Sequence, residues 1–317
     1  MKHFFCINPA AGKKDTAQEF AQTIRACCRN HGMTEGTDFL VQCSQKPGDI
    51  TQWVKQAAQT GEALRVYACG GDGTLNEAVN GAAGHPNVAV TNIPRGSGND
   101  FIRMFTAADP FRDMDALITT GKEVSFDLIE VGGNYAINAC SMGLDARIAT
   151  TMNRYKHLPL VSGHGAYLLS TLVQVMKRMY RNYRVEIDGQ EISGEQTMIF
   201  VGSGRWYGGG FQPVPEADPT DGKLDVLLVK RVSRLTVARI IGPYKQGRYQ
   251  EYPQYVRHFT ADRVKITCHS EEPINLDGEM RLGQVAEFCL APHKLRFFYP
   301  EAVELVRSGE TARLVEA

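Results

Sequence analysis

The chain has no Cys-x-x-Cys pair, no Gly-Lys-Ser/Thr phosphate loop, no apolar run of membrane length and no net charge. Each absence narrows the possibilities. Its 8 cysteines include the adjacent Cys27-Cys28 on an expected helix. Cys6, Cys43, Cys69, Cys140, Cys268 and Cys289 lie in apolar strand-like runs, so spacing gives neither a disulfide framework nor a metal knuckle. Free buried thiols in a reducing compartment are expected. The start, Met1 to Pro9, lacks the apolar core of a signal peptide. The longest apolar candidate, Leu158 to Met176, is broken by Pro159, Ser162, Gly163, His164, Gly165, Ser170 and Gln174. A soluble cytoplasmic chain is therefore expected. Lys+Arg 35 balances Asp+Glu 35, and no aromatic–basic motif occurs, which argues against nucleic acid.

What is present suits a folded protein of two domains: 317 residues, 43% hydrophobic and 22% charged. Strand-like runs at His3–Ile7, Phe39–Cys43, Leu64–Cys69 and Val88–Thr91 alternate with helical spacing, as in Ala17, Phe20, Ala21, Ile24 and Cys28. A helix is expected again after Asp100. This alternation predicts a doubly wound α/β domain with a mostly parallel sheet. From about Val124 the texture turns to short strands with Gly/Pro punctuation, which predicts an antiparallel β-sandwich. Ser125–Val131 and Tyr135–Cys140 read as one hairpin. The expected domains are 1–128, joined by a returning segment 300–317, and 129–299. Charge is uneven along the second. Arg147, Arg154, Lys156, Lys177, Arg178, Arg181 and Arg184 occur with no acidic residue among them, and Lys230–Arg263 is a second basic stretch. Such runs suit either a solvated helix face or an anionic surface.

Ligands of doubly wound sheets bind beyond the carboxyl ends of the strands. Those ends carry Asn8-Pro9, Ser44, Gly70-Gly71-Asp72-Gly73-Thr74-Leu75-Asn76 and Gly96-Ser97-Gly98-Asn99. The Gly-rich run sits where a strand becomes a helix, a place where backbone N–H groups and the helix dipole receive phosphate. Glycine is expected there for positive φ and for close approach of a phosphate. The plainer alternative is a tight turn capped by a Thr74/Glu77 capping box. Asp72 beside bound phosphates needs a bridging Mg²⁺ or a proton to handle, which points to a phosphotransferase. Later in the chain, Asp218, Asp221 and the Lys223 carbonyl could hold a hard cation, or form only an Asp-Gly turn. Asp277-Gly278-Glu279 places two carboxylates where an acceptor hydroxyl would need a base, or forms an ordinary hairpin turn.

Taken in order, Asn8-Pro9-Ala10-Ala11-Gly12, Gly70–Asn76, Pro94–Asp100, Gly208–Gly210, Asp221-Gly222-Lys223-Leu224-Asp225 and Leu276–Glu279 resemble the diacylglycerol kinase catalytic-domain family. The likeness is greatest to bacterial soluble lipid kinases related to sphingosine and ceramide kinases. It implies an NAD-kinase-like, ATP-binding α/β domain and a β-rich lipid-substrate domain. Asn8, Ser44, Gly70, Gly71, Asp72, Gly73, Thr74, Leu75, Asn76 and Ser97 would be the nucleotide contacts. Asp218, Asp221 and Lys223 would be the Mg²⁺ site, and Asp72, Asp277 and Glu279 the catalytic carboxylates, with either Asp277 or Glu279 as base. Ser44 and Ser97 stand where family members often carry Thr. The implied reaction is transfer of the ATP γ-phosphoryl group to a lipid hydroxyl, most simply diacylglycerol, at the inner membrane face. Another lipid acceptor, a soluble acceptor in the manner of NAD kinase, and a non-catalytic binding regulator are the alternatives. A sandwich edge could pair two subunits.

Overall fold

The computed structural model describes residues 1–12, 16–96, 98–155 and 163–307. Contacts divide the chain into two units: Met1–Leu128 together with the chain from Ala291 onward, and Ile129–Leu290.

The first unit runs β1 (Lys2–Ile7), α1 (Ala17–Asn30), β2 (Phe39–Cys43), α2 (Asp49–Ala58), β3 (Leu64–Gly70), α3 (Asp72–Ala82), β4 (Val88–Pro94), α4 (Met114–Thr119) and β5 (Lys122–Phe126). The sheet order is β2-β1-β3-β4, then Leu295–Tyr299, then β5. The pairs β1–β2, β1–β3 and β3–β4 are parallel. Helices cover such a sheet on both faces, which is why β4 is buried at every position, its polar Thr91 and Asn92 included. On one face Phe5, Ile7, Tyr67 and Cys69 meet Ala21, Ile24 and Cys28 of α1, and Phe5 stacks on Tyr67 with centroids 4.1 Å apart. Register aligns the strand ends: Ile7 lies opposite both Cys43 and Cys69, and Gly70 lies opposite Pro94. The chain leaves β1 for β2 on one side and returns to β3 on the other, so the switch point lies between β1 and β3.

Two features of this unit differ from the sequence expectation. The strand Leu295–Tyr299, assigned above to the second domain, belongs to the first sheet. It pairs in parallel with β4 and antiparallel with β5. Its Phe297 packs edge-on against Phe101 and tilted against Phe126, a partnership no local pattern encodes. In place of the helix expected after Asp100 come two 3₁₀ turns, Phe101–Met104 and Asp109–Arg112, the second carrying Pro110. Beyond the last strand, Val303 and Val306 are buried and Val306 N–H donates to Met104 C=O at 2.9 Å. Leu314, expected to return with them, lies outside the described residues.

The second unit runs β6 (Ile129–Val131), β7 (Asn134–Ala136), β8 (Ala139–Gly143), α5 (Leu144–Tyr155), α6 (Gly163–Met176), β9 (Arg181–Ile187), β10 (Gln190–Glu191), β11 (Gly194–Gly202), β12 (Leu224–Lys230), α7 (Arg234–Lys245), β13 (Val256–Ala261), β14 (Arg263–Leu276) and β15 (Glu279–Leu290). The hairpin expected over 125–140 forms at its centre, where β6 pairs antiparallel with β7 across Gly132-Gly133, but Asp127-Leu128 and Ile137-Asn138 divide the stretch into four short strands, β5 to β8. Every strand pair in this unit is antiparallel. Strand β14 pairs with β9 through Val264–Cys268 and with β8 through Ile274–Leu276, its pairing to β15 shifting in register between these stretches. Strand β11 does the same, meeting β9 through Gly194–Gln196 and β8 through Met198–Gly202. Strands that change neighbours at a bulge are how a sandwich turns its corners. The interior is Cys140, Met142, Tyr183, Val185, Ile199, Val201, Ile266 and Phe288, all buried. Fixing β8 against the last residues of β14 is what positions the turn at Asp277.

Candidate active site

On the first unit, the strand ends carry the expected residues. Asn8 directly follows β1, and its amide Nδ2 donates to Thr74 Oγ1 at 3.1 Å, tying that strand end to α3. Ser44 follows β2 and is half-buried, its N–H donating to Ile7 C=O at 2.9 Å. Gly71 is the N-cap of α3 and has no side chain with which to cap it. The capping box therefore does not form. Thr74 sits inside the helix with its hydroxyl on Asn8, and Glu77 accepts from the Ile50 N–H of α2 at 3.1 Å. Nor is positive φ the reason for glycine here: Gly70, Gly71 and Gly73 are absent from the left-handed positions. Space is the reason at two of them. A Cβ on Gly70 would come within 2.1 Å of Thr74 Oγ1, and one on Gly71 within 2.8 Å of Gly98 C=O.

Asp72 links the two Gly-rich loops. Its carboxylate accepts from Asp100 N–H at 2.8 and 3.0 Å and from Phe101 N–H at 3.3 Å, capping the 3₁₀ turn across 28 residues of sequence. Its own N–H donates to Gly98 C=O at 3.2 Å, and Arg95 N–H donates to Gly70 C=O at 2.9 Å. Leu75 and Asn76 are buried, and the Leu75 side chain belongs to the core rather than to a ligand surface. Ser97 lies outside the described residues. Beside these loops is an open depression of about 420 Å³ lined by Ala11, Gly12, Thr16, Phe20, Ile93, Pro94, Arg95 and Arg112. That volume falls in the range of small-ligand pockets. The Arg95 guanidinium lies over the Phe20 ring, 4.0 Å from its centroid.

On the second unit, Gly208, Gly209 and Gly210 all adopt positive φ, 61°, 80° and 100°, closing a loop whose base is the reciprocal Tyr207–Phe211 hydrogen-bond pair. Asp218 and Asp221 share one turn, in which Asp221 N–H donates to Asp218 C=O at 3.2 Å. Asp218 Oδ1 accepts from Thr220 N–H and Oγ1, and Asp221 Oδ1 accepts from Lys223 N–H at 2.9 Å. The Lys223 ammonium turns away to Asp262 at 2.6 Å, leaving its main chain at the turn. Two carboxylates and a backbone carbonyl on one turn are hard oxygen donors of the type that Mg²⁺ takes. Asp225, in the same motif, contacts His258 Nε2 at 2.7 Å.

The two carboxylates of the Asp277-Gly278-Glu279 turn differ sharply. Asp277 has φ 50° and its oxygens accept three backbone N–H groups: Ile137 at 2.7 Å, Asn138 at 3.1 Å and Ala139 at 2.7 Å. A carboxylate holding that many N–H donors is engaged in structure, and its lone pairs are committed. Glu279 opens β15 and is exposed.

Sequence reasoning passed over Asp145. It lies in the first turn of α5, where Ser141 Oγ donates to its Oδ2 at 2.7 Å and Asn275 Nδ2 donates onward to Ser141 Oγ at 3.3 Å. Burial raises its carboxyl above the usual carboxylate range, and the Ser141 bond only partly opposes this. Its signal was a lone acid opening a helix directly after a strand, too common to single out. The basic stretch also divides. Arg147 and Arg181 both pair with the buried Glu272, so they serve the interior. The outward cations stand near exposed apolar side chains where α6 ends and α7 begins: Leu172 is 60% exposed, Met176 65% and Leu235 85%. The Arg234 guanidinium donates to Val175 and Met176 C=O at 2.8 and 2.7 Å, joining the two helices there. No helix among the described residues is long and apolar enough to cross a membrane.

Residues 2–131 match the family model of the diacylglycerol kinase catalytic domain, and residues 138–299 that of the YegS C-terminal NAD kinase beta sandwich-like domain. Similar curated proteins include a "Putative lipid kinase" of Staphylococcus carnosus, 24% identical over 84% of this chain and 88% of that protein. Another of the same description from Staphylococcus aureus strain JH9 is 25% identical over 84% and 91%. Among solved structures, a "putative diacylglycerol kinase" from Bacillus anthracis strain Sterne superposes with TM-score 0.73 at 22% identity, covering 96% of this chain and 98% of that one. A diacylglycerol kinase of the same organism gives TM-score 0.66 at 20% identity, covering 95% and 97%.

Proposed function

This chain belongs to the diacylglycerol kinase catalytic-domain family, and from that premise we propose that it transfers the γ-phosphoryl group of ATP to a hydroxyl of a membrane lipid, with diacylglycerol the first candidate. The observation that carries the proposal is the start of α3 at the switch point between β1 and β3, where the N-cap Gly71 has no side chain of its own to occupy the first-turn N–H groups. Such a helix start receives phosphate through its N–H groups. Asn8, Ser44, Thr74 and the 420 Å³ depression by Arg95 are the remaining nucleotide contacts in this reading. Asp218, Asp221 and the Lys223 carbonyl would hold Mg²⁺, which when bound neutralises charge building on the phosphates.

Glu279 is the better candidate for the base. Asp277 spends its oxygens on three N–H donors, whereas Glu279 is exposed at the same turn. Glu279 would take the proton from the acceptor hydroxyl as its oxygen bonds to the γ-phosphorus and the bond to the β-phosphate oxygen breaks, releasing ADP. Asp277 would hold the turn that presents it. The apolar side chains Leu172, Met176 and Leu235, with Arg178 and Arg234 beside them, support peripheral contact with an anionic bilayer. Incubation with γ-labelled ATP, Mg²⁺ and mixed micelles of glycerolipids and sphingoid bases should place label in a lipid product. Label in none of them would reject the proposal, and label in a soluble nucleotide would move it to the NAD-kinase-like alternative.

A further inference from the structure

Cys27 and His31 are four residues apart at the end of α1 and so share one helix face. Asp115, in the first turn of α4, meets both: Cys27 Sγ lies 3.4 Å from Asp115 Oδ1 and His31 Nε2 lies 2.8 Å from the same oxygen. All three potential ligand atoms fall within 4.8 Å of one another. We infer that Cys27, His31 and Asp115 form a zinc site that clasps α1 to α4, separate from the phosphotransfer machinery.

The geometry carries it. Zinc takes thiolate sulfur at about 2.3 Å and imidazole nitrogen or carboxylate oxygen at about 2.0–2.2 Å in a tetrahedron. Those bond lengths place sulfur about 3.5 Å from oxygen and nitrogen about 3.4 Å from oxygen. The first separation is already present, and the second needs His31, an exposed side chain at a helix end, to swing by roughly half an ångström. Charge agrees as well. Thiolate and carboxylate cancel the dication, the imidazole stays neutral, and the thiol proton leaves to water. The site also lies by the last-turn carbonyls of α1, the negative end of its dipole. A mixed S, N, O set excludes magnesium and calcium and selects a borderline-soft first-row ion. The fourth position is open to water.

The full chain, stripped with chelator and titrated with Co²⁺ as the probe, tests this. One equivalent should bind, giving a near-ultraviolet thiolate-to-cobalt band and the visible bands of a tetrahedral ion, both displaced by Zn²⁺. Cys27→Ser should abolish the near-ultraviolet band, while Cys43→Ser and Cys289→Ser should leave it. His31→Gln and Asp115→Asn, at exposed positions, should each weaken binding at least about tenfold, with the far-ultraviolet spectrum of the apo chain unchanged. Zinc should raise the unfolding temperature of the wild type and not of Asp115→Asn. No band at one equivalent, a band that survives Cys27→Ser, or affinity unchanged in His31→Gln and Asp115→Asn overturns the site and leaves a hydrogen-bonded triad.

Discussion

Removing the Asp72 carboxylate should release the loop that follows β4 before it affects anything chemical. In Asp72→Ala the N–H groups of Asp100 and Phe101, residues 3% and 1% exposed, lose their acceptors. A buried donor left unpaired costs about 1–3 kcal/mol, so the pair sums to about 2–6 kcal/mol. At 1.36 kcal/mol per factor of ten, local opening rises by about 30-fold to about 10⁴-fold. Asp72→Asn keeps one acceptor oxygen and loses only the charge assistance, about 1–2 kcal/mol, or about 5- to 30-fold. Hydrogen exchange read at the amides of Asp100 and Phe101 measures this directly, with the amides of β9 as an internal standard. The order alanine, asparagine, wild type is expected, confined to the loop. Exchange within threefold of wild type in Asp72→Ala would refute the anchoring role and return Asp72 to phosphate and cation chemistry alone.

The two carboxylates of the Asp277–Glu279 turn should separate cleanly in mutants. Glu279→Gln should lower kcat by 10²-fold or more, with the denaturation midpoint unmoved. Asp277→Ala should lose several kcal/mol by orphaning three N–H groups, while Asp277→Asn, which tolerates positive φ and retains an acceptor oxygen, should recover most of that loss. The half-buried Asp145 carboxyl is raised above its unfolded value by desolvation, so its contribution to stability is complete below the unfolded pKa and is lost as pH rises through the folded one. Asp145→Asn, keeping an acceptor for Ser141, should therefore gain in melting temperature over wild type between pH 4 and pH 8. A gap that closes as pH rises would contradict this. Leu172→Glu with Leu235→Glu should abolish sedimentation with anionic vesicles at low salt without shifting the melting curve, since both side chains face solvent. Vesicle binding equal to wild type would remove that surface from the account.

Period and punctuation made the first sheet legible: four apolar strands alternated with helical spacing, and their ends fell at one edge as the doubly wound topology requires. Leu295–Tyr299 could not be placed that way, because its partners β4 and β5 are about 200 and 170 residues away in sequence. The Gly-rich loop was legible as a strand-to-helix turn at the carboxyl edge of the sheet, but the reason for its glycines was not. Crowding of Gly71 by Gly98 is a tertiary fact and that of Gly70 by Thr74 depends on where the helix starts, whereas positive φ is the local habit that sequence reasoning assumes. The Asp277–Glu279 pair illustrates the same limit. Both carboxylates are visible in the chain, yet only the position of Ile137–Ala139 against β14 distinguishes the anchored carboxylate from the exposed one. Basic residues were counted correctly, but Arg147 and Arg181 turn out to serve the buried Glu272, a partner about 90 to 125 residues onward. Cys27, read as a buried thiol, acquires His31 from its own helix and Asp115 from another.

Lipid mass spectrometry tests the central claim most directly. The full chain is incubated with ATP, Mg²⁺ and a total membrane lipid extract, with Glu279→Gln in parallel, and each lipid class is followed for the mass of one added phosphoryl group. A single hydroxyl-bearing class should convert to its phosphomonoester with wild type and not with the variant. If no lipid gains phosphate while ATP is bound or consumed, or if Glu279→Gln converts it equally, the account of this chain as a lipid kinase with Glu279 as its base is contradicted.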